Sequence, residues 1–252
     1  MNKKDYPQVN EHFHQRLCAV LENLPKEKEL EKMKRVNVKK TVLIAAAIAV
    51  VMSATAFAGG RMITGYIGSS SSIPQYTAIP DEKTMQKDFG FGFRAVEAFS
   101  NGYRFQDAVK GKQKRMGEGD EVIEQNRQFI CEYSNGTKKI SLFVDAGTPY
   151  EGNELSPIPG KTKIGEYRGT EIYETSYRNK VVPADYQLTD EDEKAEESGE
   201  LIFSYGSDEV ELHQVASVMW RMNDLNCSLL MMDNDIEQSE LLTMVQEIID
   251  NQ

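Results

Sequence analysis

Histidine and cysteine, on which most metal sites and many catalytic sites depend, are scarce in this sequence. Its 252 residues include three of each, and His213 is the only histidine beyond residue 14. Histidine-dependent triads and zinc clusters therefore have almost no material in the large C-terminal part. The motifs of serine hydrolases, zinc peptidases and P-loop nucleotide-binding proteins are also missing. We expect a protein that is not an enzyme, with no catalytic residues, no cofactor and no bound metal.

Two short patterns come closest to metal sites, and both are incomplete. His14 and Cys18 are four residues apart and would share one helix face, but Leu21 stands where a further ligand would be needed. Residues 233–235, Asp-Asn-Asp, resemble the opening of a calcium loop, but the glycine and glutamate that complete such a loop are missing. Neither pattern predicts a bound ion.

Three cysteines are too few for a disulfide scaffold. Cys131 and Cys227 both lie in strand-like stretches of the acidic C-terminal part. The sequence leaves two alternatives for them: a single disulfide that closes a long loop, or two buried thiols packed as small hydrophobic side chains.

Long apolar runs are also few, since only residues 41–58 combine length with a complete lack of charge. A membrane-spanning helix needs about 20 predominantly apolar residues, and the run reaches that length with the two glycines that follow it. We therefore predict a transmembrane helix over 41–60. A cleaved export signal is the alternative, because Ala56-Phe57-Ala58 has the small-x-small form of a cleavage site. Residues 1–40 make an unusually long leader, which favours the uncleaved anchor.

Positive charge is concentrated on one side of this run. The basic residues close to it are Lys32, Lys34, Arg35, Lys39 and Lys40 before it and Arg61 after it. The positive-inside rule predicts a single-pass protein of the cell membrane with a cytoplasmic N-terminus and an extracytoplasmic C-terminal part. That outer part carries 34 acidic and 19 basic residues. Such an excess of negative charge excludes a nucleic-acid partner for it.

The cytoplasmic segment, residues 1–40, is predicted to be helical and to bind a partner. Five apolar side chains recur at helical spacing, namely Phe13, Leu17, Val20, Leu21 and Leu24. A segment this short cannot bury such a stripe by itself. We expect the stripe to bind a cytoplasmic protein as a helix in a groove. Contact with the inner leaflet of the membrane is the alternative.

The anchor has a small-residue face of its own. Ala45, Ala49 and Ser53 recur every four residues, a spacing that lets two transmembrane helices approach closely and self-associate. Alanine as indifferent filler is the simpler interpretation.

The remaining residues divide into a polar tether, 61–84, and an extracytoplasmic domain, 85–252, of the α+β class. Residues 85–100 are ambiguous between helix and strand, and the acidic stretch 185–200 is expected to be a mobile loop. Three hairpins are predicted, around 134–137, 168–169 and 223–226. A C-terminal helix capped by Asp235 is expected to pack on one face of the resulting antiparallel sheet.

The order of these segments resembles that of membrane-anchored anti-sigma-factor-like proteins of Gram-positive bacteria, whose extracytoplasmic domain has no known function. The resemblance rests on FHQRLCAVLENLP before the apolar run and on NGYRF, VASVMWRM, CSLLMM and SELLTMVQEII after it. It implies a regulator of transcription whose cytoplasmic partner is an extracytoplasmic-function sigma factor and whose outer domain senses an envelope signal. Trp220, within VASVMWRM, has a simpler explanation as a core aromatic. An exported or anchored binding domain with a long leader and no regulatory role is the alternative.

Overall fold

The chain folds around one large sheet. The computed structural model describes residues 45–58, 61–71, 73–117, 121–136, 138–148, 161–183, 185–197, 201–205 and 207–252, with side chains from residue 67 onward. Its strands are β1 (Ala45–Ala58), β2 (Arg61–Ser71), β3 (Arg104–Met116), β4 (Val122–Asn135), β5 (Lys138–Asp145), β6 (Thr162–Tyr167), β7 (Thr170–Val182), β8 (Leu201–Tyr205), β9 (Glu211–Met222) and β10 (Leu225–Met232). Its helices are α1 (Glu82–Asp88), α2 (Asp190–Glu197) and α3 (Gln238–Asp250).

The strands are ordered β6-β7-β8-β1-β2-β3-β4-β5-β10-β9, and β9 also pairs with β7, so the sheet curls back on itself. Neighbouring strands are antiparallel except β7 and β8, which are parallel. A parallel pair needs a crossover connection, and the segment that contains α2 supplies it. The predicted α+β class, with a largely antiparallel sheet and a C-terminal helix, is confirmed at this level.

Strand β1 occupies the run for which the sequence predicts a transmembrane helix. It pairs with β2 along most of its length and with β8 at Ala49 and Val50. Of the helices described, none has both the length and the apolar character needed to cross a membrane. Periodicity cannot separate a short apolar strand from a helix, and the run contains β-branched residues that suit a sheet.

The predicted tether also differs from the structure. Its first part is strand β2, which pairs with β3 from Gly65↔Met116 to Ser70↔Gly111. Its last residues begin helix α1, whose cap is Asp81, which accepts a hydrogen bond from Thr84 N at 2.8 Å. Polar, serine-rich composition is compatible with a strand when a partner strand satisfies the backbone, and β3 is that partner.

The three predicted hairpins are confirmed, as β4–β5, β6–β7 and β9–β10. All three turns contain positive φ: Gly136 (68°) in the first, Arg168 (49°) with Gly169 (77°) in the second, and Asn223 (47°) with Asp224 (63°) in the third. Two-residue turns of this kind match the right-handed twist of the strands that they join.

Two apolar clusters pack against the sheet. The main core contains Trp220, a group of phenylalanines and the inner face of α3, represented by Met244 and Ile248. Trp220 is fully buried, as expected of a core aromatic. The second cluster is smaller and lies where β8 meets β1 and β2. Its buried members are Met116, Val182, Leu201, Phe203 and Tyr205.

Three local expectations are corrected. Residues 90–96 form neither helix nor strand, and their phenylalanines enter the main core from an irregular segment. The acidic stretch expected to be a mobile loop contains α2, which lies over β8. Helix α3 starts after Glu237, without a side-chain cap, so the predicted capping role of Asp235 is wrong. Asp235 lies earlier, in a segment where its carbonyl accepts a hydrogen bond from Lys138.

Candidate functional site

Most of the residues that the sequence predicts to be functional belong to the N-terminal segment. The predicted partner-binding residues Phe13, Leu17, Val20, Leu21 and Leu24, with His14 and Cys18, lie outside the described residues. The candidate site is therefore built from three polar clusters of the described part of the chain. We call them the polar row, the lysine network and the histidine cluster.

The polar row runs across neighbouring strands on the face opposite the main core. Arg115 on β3 donates to Glu124 on β4 at 2.7 Å. Farther along, Asn226 on β10 donates to Asp145 on β5 at 3.1 Å and accepts from Arg221 on β9 at 2.5 Å. These pairs are close because Asn226 is in register with both Asp145 and Arg221. Strand pairing therefore brings residues together that are far apart in the sequence.

The polar row holds the loop that follows β5. Arg115 donates to the carbonyl of Thr148 at 2.7 Å, and Arg221 donates to the carbonyl of Gly147 at 3.1 Å. The Thr148 N–H donates to Glu124 at 2.9 Å. Burial alone would raise the pKa of Glu124, but these donors and the guanidinium of Arg115 lower it overall. The observed role of this network is to fix the loop after β5.

The lysine network fastens α2 to the sheet. Lys180 Nζ lies 2.7 Å from Asp192 and 2.6 Å from the Tyr186 hydroxyl, which itself donates to Asp192 at 2.8 Å. Thr189 and Asp192 also exchange hydrogen bonds at the start of the helix. Burial opposes ionisation of Asp192, but these bonds prevail and lower its pKa to about 2. The network therefore carries a carboxylate that stays charged through the physiological range.

The histidine cluster joins the start of β9 to the end of β10. His213 Nδ1 lies 2.7 Å from Asp233 Oδ2, and His213 Nε2 lies 3.0 Å from Glu211 Oε2. Asp233 also accepts from Gln214 N at 2.8 Å and has a φ of 50°. The hydrogen bonds to Asp233 and then to Glu211 raise the pKa of His213 above its ordinary value of 6.5, against a smaller opposing effect of burial.

A shallow groove lies beside the histidine cluster. Its lining residues are Lys138, Lys139, Met232, Asp233, Asn234 and Asp235. Asn234 donates to the carbonyl of Lys139 at 3.0 Å and to the Tyr103 hydroxyl at 3.3 Å. The groove is thus built from the segment that connects β10 to α3, and the same segment carries Asp233.

Cys131 and Cys227 are both free and buried. They lie on β4 and β10, which are separated by β5, so two strand spacings put them about 10 Å apart. A disulfide needs Cα atoms within about 7 Å. Burial raises the pKa of both thiols, which keeps them protonated and unreactive. The structure therefore has the second of the two alternatives, buried thiols.

Residues 233–235, the calcium-like run, do not converge on an ion. Asp233 is engaged by His213 and Gln214, and within the described part of the chain no group of three or more histidine, cysteine or acidic side chains is placed to hold a metal. The histidine cluster itself was missed by sequence reasoning. The predicted β9–β10 hairpin contains the information needed to find it. Pairing Val215 with Met232 also brings His213, which precedes Val215, close to Asp233, which follows Met232.

No protein-family model matches the chain, and neither a curated protein nor a solved structure is significantly similar to it.

Proposed function

We propose that this chain is a single-pass membrane regulator. Residues 1–40 bind a cytoplasmic protein, by resemblance an extracytoplasmic-function sigma factor, and the outer domain responds to an envelope signal. The observation that carries the proposal is the charge asymmetry around residues 41–58. Five basic residues lie within the nine positions before this uncharged run, and one follows closely after it.

The proposal requires the apolar run to be helical when it lies in lipid. In the structure residues 45–58 of the run form strand β1, whose backbone is paired with β2 and β8. A lone strand in hydrocarbon would leave its N–H and C=O groups without partners, whereas a helix satisfies them internally. Circular dichroism of the chain in lipid and in water therefore tests whether this segment gains helix on insertion.

The outer domain supports recognition rather than catalysis. Its two thiols are buried, and its histidine is held between two carboxylates. In the polar row, Arg115 is occupied by the carboxylate of Glu124 and a backbone carbonyl, and Arg221 by the amide oxygen of Asn226 and a backbone carbonyl. These groups stabilise loops and strand ends, which is a construction suited to a binding module.

Membrane topology is the first test, and the chain provides its own probe. Since Cys131 and Cys227 are buried, the thiol left for labelling is Cys18. We expect a membrane-impermeant maleimide to spare Cys18 in intact cells and to label it after lysis. Asp208→Cys, at an exposed position of the outer domain, should be labelled in intact cells. Labelling of Cys18 without lysis would refute the proposed orientation.

Partner binding is the second test. Leu17→Asp and Leu21→Asp place a charge on the apolar stripe of the full-length protein, and both should abolish co-purification of a specific cytoplasmic protein from solubilised membranes. Gln15→Asp is the matched control, because residue 15 lies on the opposite side of the predicted helix. Equal recovery of every specific partner with the stripe variants and the control would overturn the regulatory proposal.

A second candidate function is an exported binding domain without a cytoplasmic role. The sequence Ala56-Phe57-Ala58 favours it, because cleavage there would release the acidic domain. The mature mass distinguishes the two candidates. Loss of residues 1–58 would favour the exported domain, and an intact chain would favour the anchored regulator.

A further inference from the structure

We propose that the histidine cluster, defined by His213, Glu211 and Asp233, is a proton-responsive latch. When His213 carries two ring protons, the latch ties the segment after β10 to the start of β9. When one proton leaves, the latch opens and residues 233–237 become mobile. This inference needs no membrane and no cytoplasmic partner, so it goes beyond the proposed function.

The geometry of the ring requires the doubly protonated form. Each ring nitrogen of His213 lies within hydrogen-bond distance of a carboxylate oxygen, Nδ1 at 2.7 Å and Nε2 at 3.0 Å. An ionised carboxylate only accepts, and a neutral imidazole has a single N–H to donate. Both contacts can therefore be hydrogen bonds only when His213 is an imidazolium.

The charges that face the ring come from two segments. Glu211 lies on the same strand and also accepts from Ser207 at 2.8 Å, and Asp233 follows β10. The hydrogen bond from His213 is the largest contribution to the lowered pKa of Asp233, followed by the backbone bond from Gln214. Loss of the ring proton would leave two carboxylates competing for one donor.

The strand on the other side of β9 contributes a neutral group. Asn179 of β7 is in register with His213. Its charged neighbours Arg178 and Lys180 alternate to the opposite face of the sheet, where Lys180 is paired with Asp192. The latch therefore responds to the protonation of His213 with little interference from β7.

The latch controls a segment with its own contacts. Residues 233–237 contain Asn234, which contacts Tyr103 and Lys139, and Asp235, which accepts from Lys138. These residues form one wall of the groove. Helix α3 stays in the main core through its buried apolar side chains. Opening of the latch should therefore reshape the groove without unfolding the domain.

The sign of the pH effect follows from the raised pKa of His213. The stabilisation is fully present below the ordinary histidine pKa of 6.5 and is lost as pH rises through the raised value. The latch is closed while His213 is protonated and both carboxylates are ionised, and it opens as pH rises through the raised pKa of His213.

Hydrogen exchange of the full-length chain tests this directly. After correction for the intrinsic exchange rate, protection of residues 232–237 should stay constant up to about pH 6.5 and fall as pH rises above it. His213→Gln should remove that pH dependence, whereas His12→Gln and His14→Gln should keep it. The same pH dependence in wild type and His213→Gln would overturn the latch.

A second measurement keeps the test valid if His213→Gln fails to fold. Titration of His213 followed by NMR should give a midpoint above 6.5, and Asp233→Asn should lower that midpoint because it removes the strongest partner. Glu211→Gln should lower it as well. A midpoint at or below 6.5 in the wild-type protein would refute the proposal.

Discussion

The main core and the second cluster are stabilised in different ways. The main core is dominated by aromatic and aliphatic side chains, including the edge-to-face pairs Phe89–Phe129 and Phe99–Tyr133. The second cluster has few apolar residues, and beside it the ion pair between Lys180 and Asp192 holds α2 in place. Apolar burial is insensitive to protonation, but an ion pair is not. The two regions should therefore respond differently to truncation and to pH.

The largest effect is expected in the main core. Trp220→Ala should lower the free energy of unfolding by about 3–5 kcal/mol, because it leaves a cavity among fully buried side chains. Urea unfolding of the purified protein measures the loss. Leu212→Ala is the matched control on the same strand, since Leu212 is 59% exposed and its truncation should have little effect. Equal losses for the two variants would contradict the assignment of the main core.

A smaller, local effect is expected in the second cluster. Asp192→Ala should cost about 1–3 kcal/mol, because the half-buried ammonium of Lys180 loses its charged partner. Limited proteolysis should then cut within residues 185–197, where we expect the wild-type protein to resist. Glu193→Gln changes an exposed carboxylate of the same helix turn and is the control. Unchanged resistance of Asp192→Ala would show that α2 is held without the ion pair.

The pH dependence of the two regions separates them further. The lowered pKa of Asp192, about 2, means that its stabilisation is present above the ordinary value of 3.8 and is lost as pH falls towards 2. Protease sensitivity of residues 185–197 should therefore rise in strong acid, and Asp192→Asn should remove that rise. The histidine cluster should weaken in the opposite direction. Weakening of the Asp192 contacts, rather than of the histidine cluster, as pH rises above 6.5 would contradict the assigned charges.

An effect of similar size is expected in the polar row, which lies on the face of the sheet opposite the main core. A Cβ at Gly147 would lie 2.6 Å from Asp145 Oδ1 and 2.9 Å from Arg115 Nη2. Gly147→Ala should therefore cost about 1–3 kcal/mol, because the side chains that fix the loop must shift. Gly92→Ala is the control, since nothing lies within 4 Å of its Cβ position. Urea midpoints compare the two variants.

The smallest effect is expected from the two buried thiols. Treatment with an oxidant should form no disulfide between Cys131 and Cys227 in the native protein, because both are buried and separated by β5. Both thiols should react with a thiol reagent only in denaturant. Formation of an internal disulfide in the native state would contradict the strand order.

Part of this fold follows from local sequence. Arg168-Gly169 and Asn223-Asp224 form the two-residue turns expected between strands, and the apolar stripe of α3 becomes the buried face of that helix. Trp220 is in the core, as its alternating strand predicts. These features depend on neighbours in sequence, so patterns of period two or 3.6 are sufficient to detect them.

Other features depend on contacts between distant residues. The acidic composition of residues 185–200 favours a loop, but the ammonium of Lys180 and the hydroxyl of Tyr186 select the helix. The histidine cluster depends on the pairing of β9 with β10, which places Asp233 beside a histidine twenty positions earlier.

The sequence by itself determined the alternation of the strands, their turns, the apolar face of α3 and the charge asymmetry around residues 41–58, because each is a property of neighbouring residues. Only the tertiary structure decided that β9 pairs with both β10 and β7, that α2 lies on β8, and that His213 lies between two carboxylates. The physical reason is that each of these contacts joins segments that are separated along the chain. Their order in the sequence does not determine how close they lie in space. Pairing of backbone groups across the curled sheet sets that distance.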